Sequence, residues 1–229
     1  MPLLDHFHPP LHGPRRWEGF HHAWATVIAQ HLNHGILPPD YFAEPEIGVE
    51  THPDGGNIGT VTAVWSPPRP RIAAKVDFAR LDSYEIRVYQ DLGGAELRAA
   101  IELISPANKD RKGSRQTFAA KCAGYLKHGV AVVIVDIVTA RRANLHAELF
   151  DTLAVKGRRA AWHSPSGLYA AAYRPVTTRK SPRVEVWPEA LALGESLPVM
   201  PLWLSLDLCV PVRLEESYVD TCQSLRISA

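Results

Sequence analysis

At 229 residues the chain can build one large or two small domains around a sizeable core, and its formal net charge of +1 excludes strong non-specific attraction to nucleic acid or to a membrane surface. Hydrophobic residues at 46% and charged residues at 21% are the mixture of an ordinary globular protein. Cys122, Cys209 and Cys222 lack CxxC or metal-ligand spacing, no apolar run approaches the roughly 18 residues of a membrane span, and the N-terminus carries no charged-then-apolar leader; the expectation is a reduced, cytoplasmic setting with no membrane partner.

Residues 1–16, rich in proline, are expected to be irregular. Trp17, Phe20, His21, Trp24, Val27, Ile28 and His31 then follow helical spacing and predict an amphipathic helix ending near Asn33–Gly35. Residues 41–51 and 58–65 read as strands about the turn "HPDGGN", and "YEIRVY" reads as a strand leading through "DLGGAE" into a further strand around Glu102. After "SPANKDRKGS", expected to be a loop, residues 114–128 form a helical pattern with Phe118, Cys122, Tyr125 and Leu126 on one face and Gly129 as its C-cap. Residues 130–138 are apolar on both faces, as in a buried parallel strand, so strand, helix and strand make a βαβ unit. A short helix over 144–153 follows. The strands "GLYAAAYRPV", "RVEVW" and "LWLSLDLCVPV" come next, and a closing helix places Leu214, Tyr218, Cys222 and Leu225 on one face. The expectation is a single α/β domain over 1–229: an irregular segment to residue 16, a core over 17–140, and a β-rich C-terminal extension over 141–229.

Glu102 breaks the apolar run from Ala99 to Ile104. A buried carboxylate needs a partner, a shifted pKa or a metal, because leaving it unpaired costs several kcal/mol. On a helical wheel Lys121 lies about 60° from Phe118, at the edge of the apolar face, where its stem can lie on the sheet and its ammonium reach the neighbouring strand. Glu102 and Lys121 can therefore meet, either as a structural ion pair or as part of a site. Between them lie Lys109, Arg111, Lys112 and Arg115, four cations against Asp110 and candidates for phosphate contacts; Ser105 and Asn108 approach the strand's carboxyl end, where open α/β sheets bind ligands.

The run Glu102-Leu-Ile-Ser-Pro-Ala-Asn-Lys109, then Phe118-x-x-Lys121-x-x-x-Tyr125, Gly129-Val130 and Val135-Asp136, resembles the bacterial family called domain of unknown function 4058, and more distantly the Uma-type relatives of restriction endonucleases. "MPLLDHFHPPL", "WEGFHHAW", "LPVMPLWL" and "LEESYVDTCQSLRI" extend the first resemblance over nearly the whole chain. The Uma-type comparison implies a restriction-endonuclease-like mixed sheet flanked by helices, with a PD-(D/E)XK core. In that reading Glu102 is the acidic strand residue and Ile104 stands where the usual lysine would be. Lys121 is the migrated substitute and Lys109 the second choice. The upstream strand offers Val61 and Thr62 where an Asp is expected, leaving Glu46, Asp54 and Glu44 as carboxylates that could join Glu102 on Mg²⁺. The implied activity is Mg²⁺-dependent phosphodiester hydrolysis on a degenerate site. The alternatives are a non-catalytic member of the fold that binds nucleic acid or a protein, and a purely structural interaction protein. A homo-oligomer is compatible with each.

Other signals have plainer readings. Asp82, Glu85 and Arg87 fit an exposed hairpin strand. Seven of the eleven histidines fall within residues 1–34, but without HExxH-like spacing; His21 and His31 fit the buried face of their helix. Asp136, ending its strand, is read as a cap of the following turn rather than a metal ligand. The basic clusters 156–159 and 179–183 read as solvated loops.

Overall fold

The computed structural model of the protein describes residues 1–12, 17–45, 66, 68–75, 87–155, 162–176 and 182–227, with backbone alone for 72–75. The stripe beginning at Trp17 winds into α1 (Trp17–Asn33), which buries Trp17, Phe20, Trp24, Ile28, Ala29 and Leu32. There follow β1 (Tyr41–Glu44), β2 (Ile72–Lys75), β3 (Arg87–Asp91), β4 (Ala95–Leu103), α2 (Pro106–Asp110), α3 (Lys112–Lys127), β5 (Ala131–Asp136) and α4 (Leu145–Thr152). The chain ends with β6 (Leu168–Val176), β7 (Arg183–Leu191), β8 (Val199–Trp203), β9 (Cys209–Arg213) and α5 (Leu214–Ser224). The result is a mixed α/β structure: a seven-stranded sheet in the order β1-β3-β4-β5-β6-β7-β2, and a separate β8–β9 hairpin.

The centre of the sheet is the expected strand–helix–strand unit. β4 and β5 are parallel, with Glu102 opposite Ile134, and every other described pair is antiparallel. A parallel pair needs a crossover, supplied here by α2 and α3. All six residues of β5 are buried, since α3 and the β8–β9 hairpin both pack against it. α3 stops where its sequence says it should. Gly129, at φ +82°, lets the Val130 N–H reach the Tyr125 carbonyl at 3.0 Å and its own N–H reach that of Leu126 at 3.2 Å, satisfying carbonyls the helix leaves open.

Three expectations change. "SPANKDRKGS" contains a helix, α2: Pro106 sits at its first turn, and Asn108 Oδ1 accepts from Ser105 N–H at 2.8 Å and from its hydroxyl at 2.9 Å, so local hydrogen bonds nucleate a turn that composition reads as loop. "LWLSLDLCVPV" is not one strand but the end of β8, a turn and β9. Ser205 Oγ accepts the N–H groups of Asp207 and Leu208, and a hydroxyl bonding its own backbone this way reverses the chain. The C-terminal strands are no appendage: β6 and β7 extend the main sheet, and β2 from the N-terminal half pairs with β7. The expected strand over 58–65 lies outside the described residues, as do residues 84–86 of "YEIRVY".

One hydrophobic cluster runs from Leu3 to Ile227. Residues 1–5, irregular as expected, are nonetheless tied down. Leu3 exchanges backbone hydrogen bonds with Glu195 (2.8 Å) and Gly194 (2.9 Å), and the Met1 ammonium meets Glu215 at 2.8 Å. Among the described residues no helix is long and apolar enough to cross a membrane.

Candidate active site

The site begins with α1. Trp24 Nε1 donates to Ser217 Oγ at 3.0 Å, and Phe20 and Trp24 pack edge-on or tilted against one another and Tyr218, so α5 fixes one side of the helix. Asn33 fixes its end: its amide donates to the Ala43 carbonyl at 2.9 Å and accepts the Ala43 N–H at 2.8 Å, binding α1 to β1 like a short strand pair. Held this way, α1 leans over β1, β3 and β4. Its facing residues Ala25 and Ala29 are small, and with Ala43 opposite them they leave a cleft of about 270 Å³.

Glu102 and Lys121 line that cleft together with Glu44, Arg87, Ser105 and Asn108. Glu102 is only 4% exposed, and its Oε1 lies 2.8 Å from Lys121 Nζ, whose side chain keeps 19% of its surface in solvent. The pair anticipated from the helical wheel exists. The buried carboxylate sits on a central strand and the partly open ammonium on the crossover helix. Arg87 is buried, not on an exposed hairpin, and donates to the Tyr89 hydroxyl at 2.7 Å. It stands opposite Glu44 in the β1–β3 register. The cleft therefore holds two carboxylates and two cations.

The candidate phosphate loop is largely engaged elsewhere. Lys109 is buried against Asp136, Nζ to Oδ2 2.8 Å with both side chains fully enclosed, so it contacts neither solvent nor the cleft. Burial pushes the Asp136 carboxyl up to about 6, the ammonium pulling the other way. Asp136 also caps its turn as expected, Oδ1 accepting the Val138 N–H at 3.1 Å. Arg115 pairs with Glu148 at 2.8 Å, whereas Arg111 and Lys112 are exposed, Arg111 standing 3.7 Å from Asp110. Glu46, Asp54, Val61, Thr62, Asp82, Glu85, the 156–159 cluster and residues 179–181 lie outside the described residues.

Sequence reasoning missed His21 and His22 as cleft residues. His21 Nε2–H donates to the Leu103 carbonyl at 2.8 Å, and burial holds the ring's pKa below its ordinary value. His22, Ala25 and Ala29 fall at i, i+3 and i+7. That spacing was a legible sign that His22 shares the cleft face of α1, away from the deeper stripe.

Fold and cleft together define a mixed α/β protein with a buried carboxylate, paired to a partly exposed lysine, at the carboxyl end of a central parallel strand. Comparison with known proteins finds no match: no family model, no curated protein and no solved structure is significantly similar to the chain. Among the described residues no three His, Cys, Asp or Glu side chains converge as a metal site. The donors that do share the cleft, the carboxylates of Glu102 and Glu44, are hard oxygen ligands. Oxygen donors of this kind are the ones a magnesium ion takes, one or two protein carboxylates together with several waters.

The pair is asymmetric, and this has a measurable consequence. Lys121→Met leaves a 4%-exposed carboxylate without its ammonium and is expected to cost about 3–5 kcal/mol. Glu102→Gln leaves an ammonium that can turn to solvent and is expected to cost about 2 kcal/mol, near the value of a charge-assisted hydrogen bond. Urea unfolding of the two variants and the double variant checks this; equal, additive losses would mean the groups do not interact.

Proposed function

We propose that the chain is a restriction-endonuclease-like protein, related to the family called domain of unknown function 4058, and that it hydrolyses phosphodiesters slowly in the presence of Mg²⁺ at the Glu102 cleft. The observation that carries this is the Glu102–Lys121 contact of 2.8 Å at the carboxyl end of β4, in a cleft that Glu44 also lines. Glu102 and Glu44 would hold the magnesium ion, which when bound supplies Lewis-acid activation of water and of the phosphoryl oxygen. Lys121 would orient the attacking water and stabilise charge building on the phosphate, and Arg87 would offer a second cation to it. Water adds to phosphorus and one P–O ester bond breaks; a proton leaves the water to solvent and the departing oxygen takes one up. A phosphomonoester and a hydroxyl result. A cytoplasmic setting fits the three cysteines, which are free and buried.

A second reading draws on the apolar wall of Ala25, Ile28, Ala29 and Val88: a non-catalytic member of the fold that holds a nucleic acid without cutting it. Incubating the protein with labelled single- and double-stranded DNA and RNA in Mg²⁺ or Mn²⁺ decides between them. The expected result is weak metal-dependent cleavage, reduced at least a hundredfold by Glu102→Ala and by Lys121→Ala. Binding without cleavage under every condition establishes the second reading.

A further inference from the structure

α1 carries a row of flat rings toward the cleft. Trp17 and His21 stack at 5.3 Å with 16° between planes, and His21 and His22 follow at 6.0 Å and 20°. The His21 ring is locked by its bond to the Leu103 carbonyl, so it is a fixed step, not a loose surface side chain. The last ring, His22, is exposed and lines the cleft mouth. The small apolar side chains of Ala25 and Ala29 and the cations Lys121 and Arg87 line the same cleft. Flat ring, apolar floor and two cation side chains match the three parts of an unpaired nucleotide: a π-face to stack, a sugar and base edge to enclose, and a phosphate to contact.

The burial of Glu102 adds a steric requirement. With 4% of its surface accessible, its carboxylate is approached through the 270 Å³ cleft that it lines. A base can stack on the exposed His22 ring only if one of its faces is free, which a base inside a duplex lacks and a base of a single strand has. Resting on the functional reading above and narrowing its substrate, we propose that the cleft accepts one unpaired nucleotide of a single-stranded nucleic acid, with the base stacked on His22 and the phosphate directed to Lys121 and Arg87.

The test is fluorescence titration, with Ca²⁺ in place of Mg²⁺ to hold cleavage off. It uses a 12-nucleotide single strand, the same sequence as a blunt duplex, and a single strand with abasic sites throughout. The natural protein is expected to bind the single strand at least tenfold tighter than the duplex. His22→Ala, a surface change that leaves the core untouched, is expected to weaken single-strand binding by about fivefold to a hundredfold and to leave the abasic strand unaffected. His22→Phe, which keeps a ring, is expected to restore most of the affinity. Equal affinity for duplex and single strand, a neutral His22→Ala, or an equal loss on the abasic strand overturns the proposal. The two readings fail separately. Duplex cleavage abolished by Glu102→Ala with His22→Ala neutral keeps the nuclease and overturns the unpaired nucleotide. His22-dependent single-strand binding without any Mg²⁺-dependent cleavage does the reverse.

Discussion

Lys109→Met is expected to destabilise the protein by about 3–5 kcal/mol at pH 8, a fall in Tm of about 10 °C for a chain of this size. Neither the ammonium nor the Asp136 carboxylate has any exposed surface, and the contact between them is 2.8 Å. Without Lys109, the carboxylate keeps the Val138 N–H and loses its only ion-pair partner among the described residues. The loss should shrink on acidification. Burial already raises Asp136 from 3.8 to about 6 in the folded protein, so the native state holds a proton there that the unfolded chain releases. A group of this kind stabilises most at low pH, and its contribution is lost as pH rises through about 6. Removing Lys109 moves that titration higher still, so the variant and the natural protein should converge below pH 6. Asp136→Asn keeps the acceptor for Val138, and in combination with Lys109→Met it should recover most of the stability. Calorimetry at pH 5 and pH 8 measures all of this. A Lys109→Met variant within about 1 kcal/mol of the natural protein at pH 8 would show that Lys109 compensates no buried charge.

Acid should unfold the protein through two histidines that have nothing to do with the cleft. His6 is packed among Trp17, Phe20 and Tyr218; the Tyr218 hydroxyl accepts the Leu4 N–H at 3.0 Å and donates to His6 Nε2 at 2.7 Å. His146 lies fully buried on α4 against Phe150 and Trp162, its Nδ1 2.7 Å from the Tyr173 hydroxyl. Burial lowers both from 6.5 to about 4. Here the unfolded chain binds the extra proton, so stability is fully present above about 6.5 and is lost as pH falls towards 4. Each shift corresponds to about 3 kcal/mol at 1.36 kcal/mol per unit. Asp136 works in the opposite direction by a similar amount, leaving a net loss of about 4 kcal/mol between pH 7 and pH 4. Asn places a polar atom where Nδ1 was and Gln where Nε2 was, so His146→Asn and His6→Gln keep the hydrogen bonds and remove the titration. Each should flatten the acid limb of a stability-against-pH curve measured by urea unfolding. An unchanged acid limb in both variants would place the acid sensitivity elsewhere.

The sequence alone determined α1, the β4–α3–β5 unit and the meeting of Glu102 with Lys121. Those features rest on helical spacing, on two apolar runs and on one rule, that a carboxylate in an apolar run needs a partner, and all the information lies between neighbouring stretches of chain. The cleft was half visible. Glu102, Lys121, Ser105 and Asn108 come from one continuous stretch, but Glu44, Arg87, His21 and His22 are brought to it by α1 and by strands that pair across the sheet. Lys109 is the clearest case of a residue whose role only the tertiary structure decided. It stands in a run of cations that reads as a phosphate-contacting loop, and its partner Asp136 is 27 residues away at the end of another strand. The same holds for the strand order, in which β2 joins β7 and the C-terminal strands complete the sheet. A strand's pattern records which faces are covered, and its edges hydrogen-bond through backbone groups that are alike at every residue; which strand lies beside which is therefore set by how the whole chain packs.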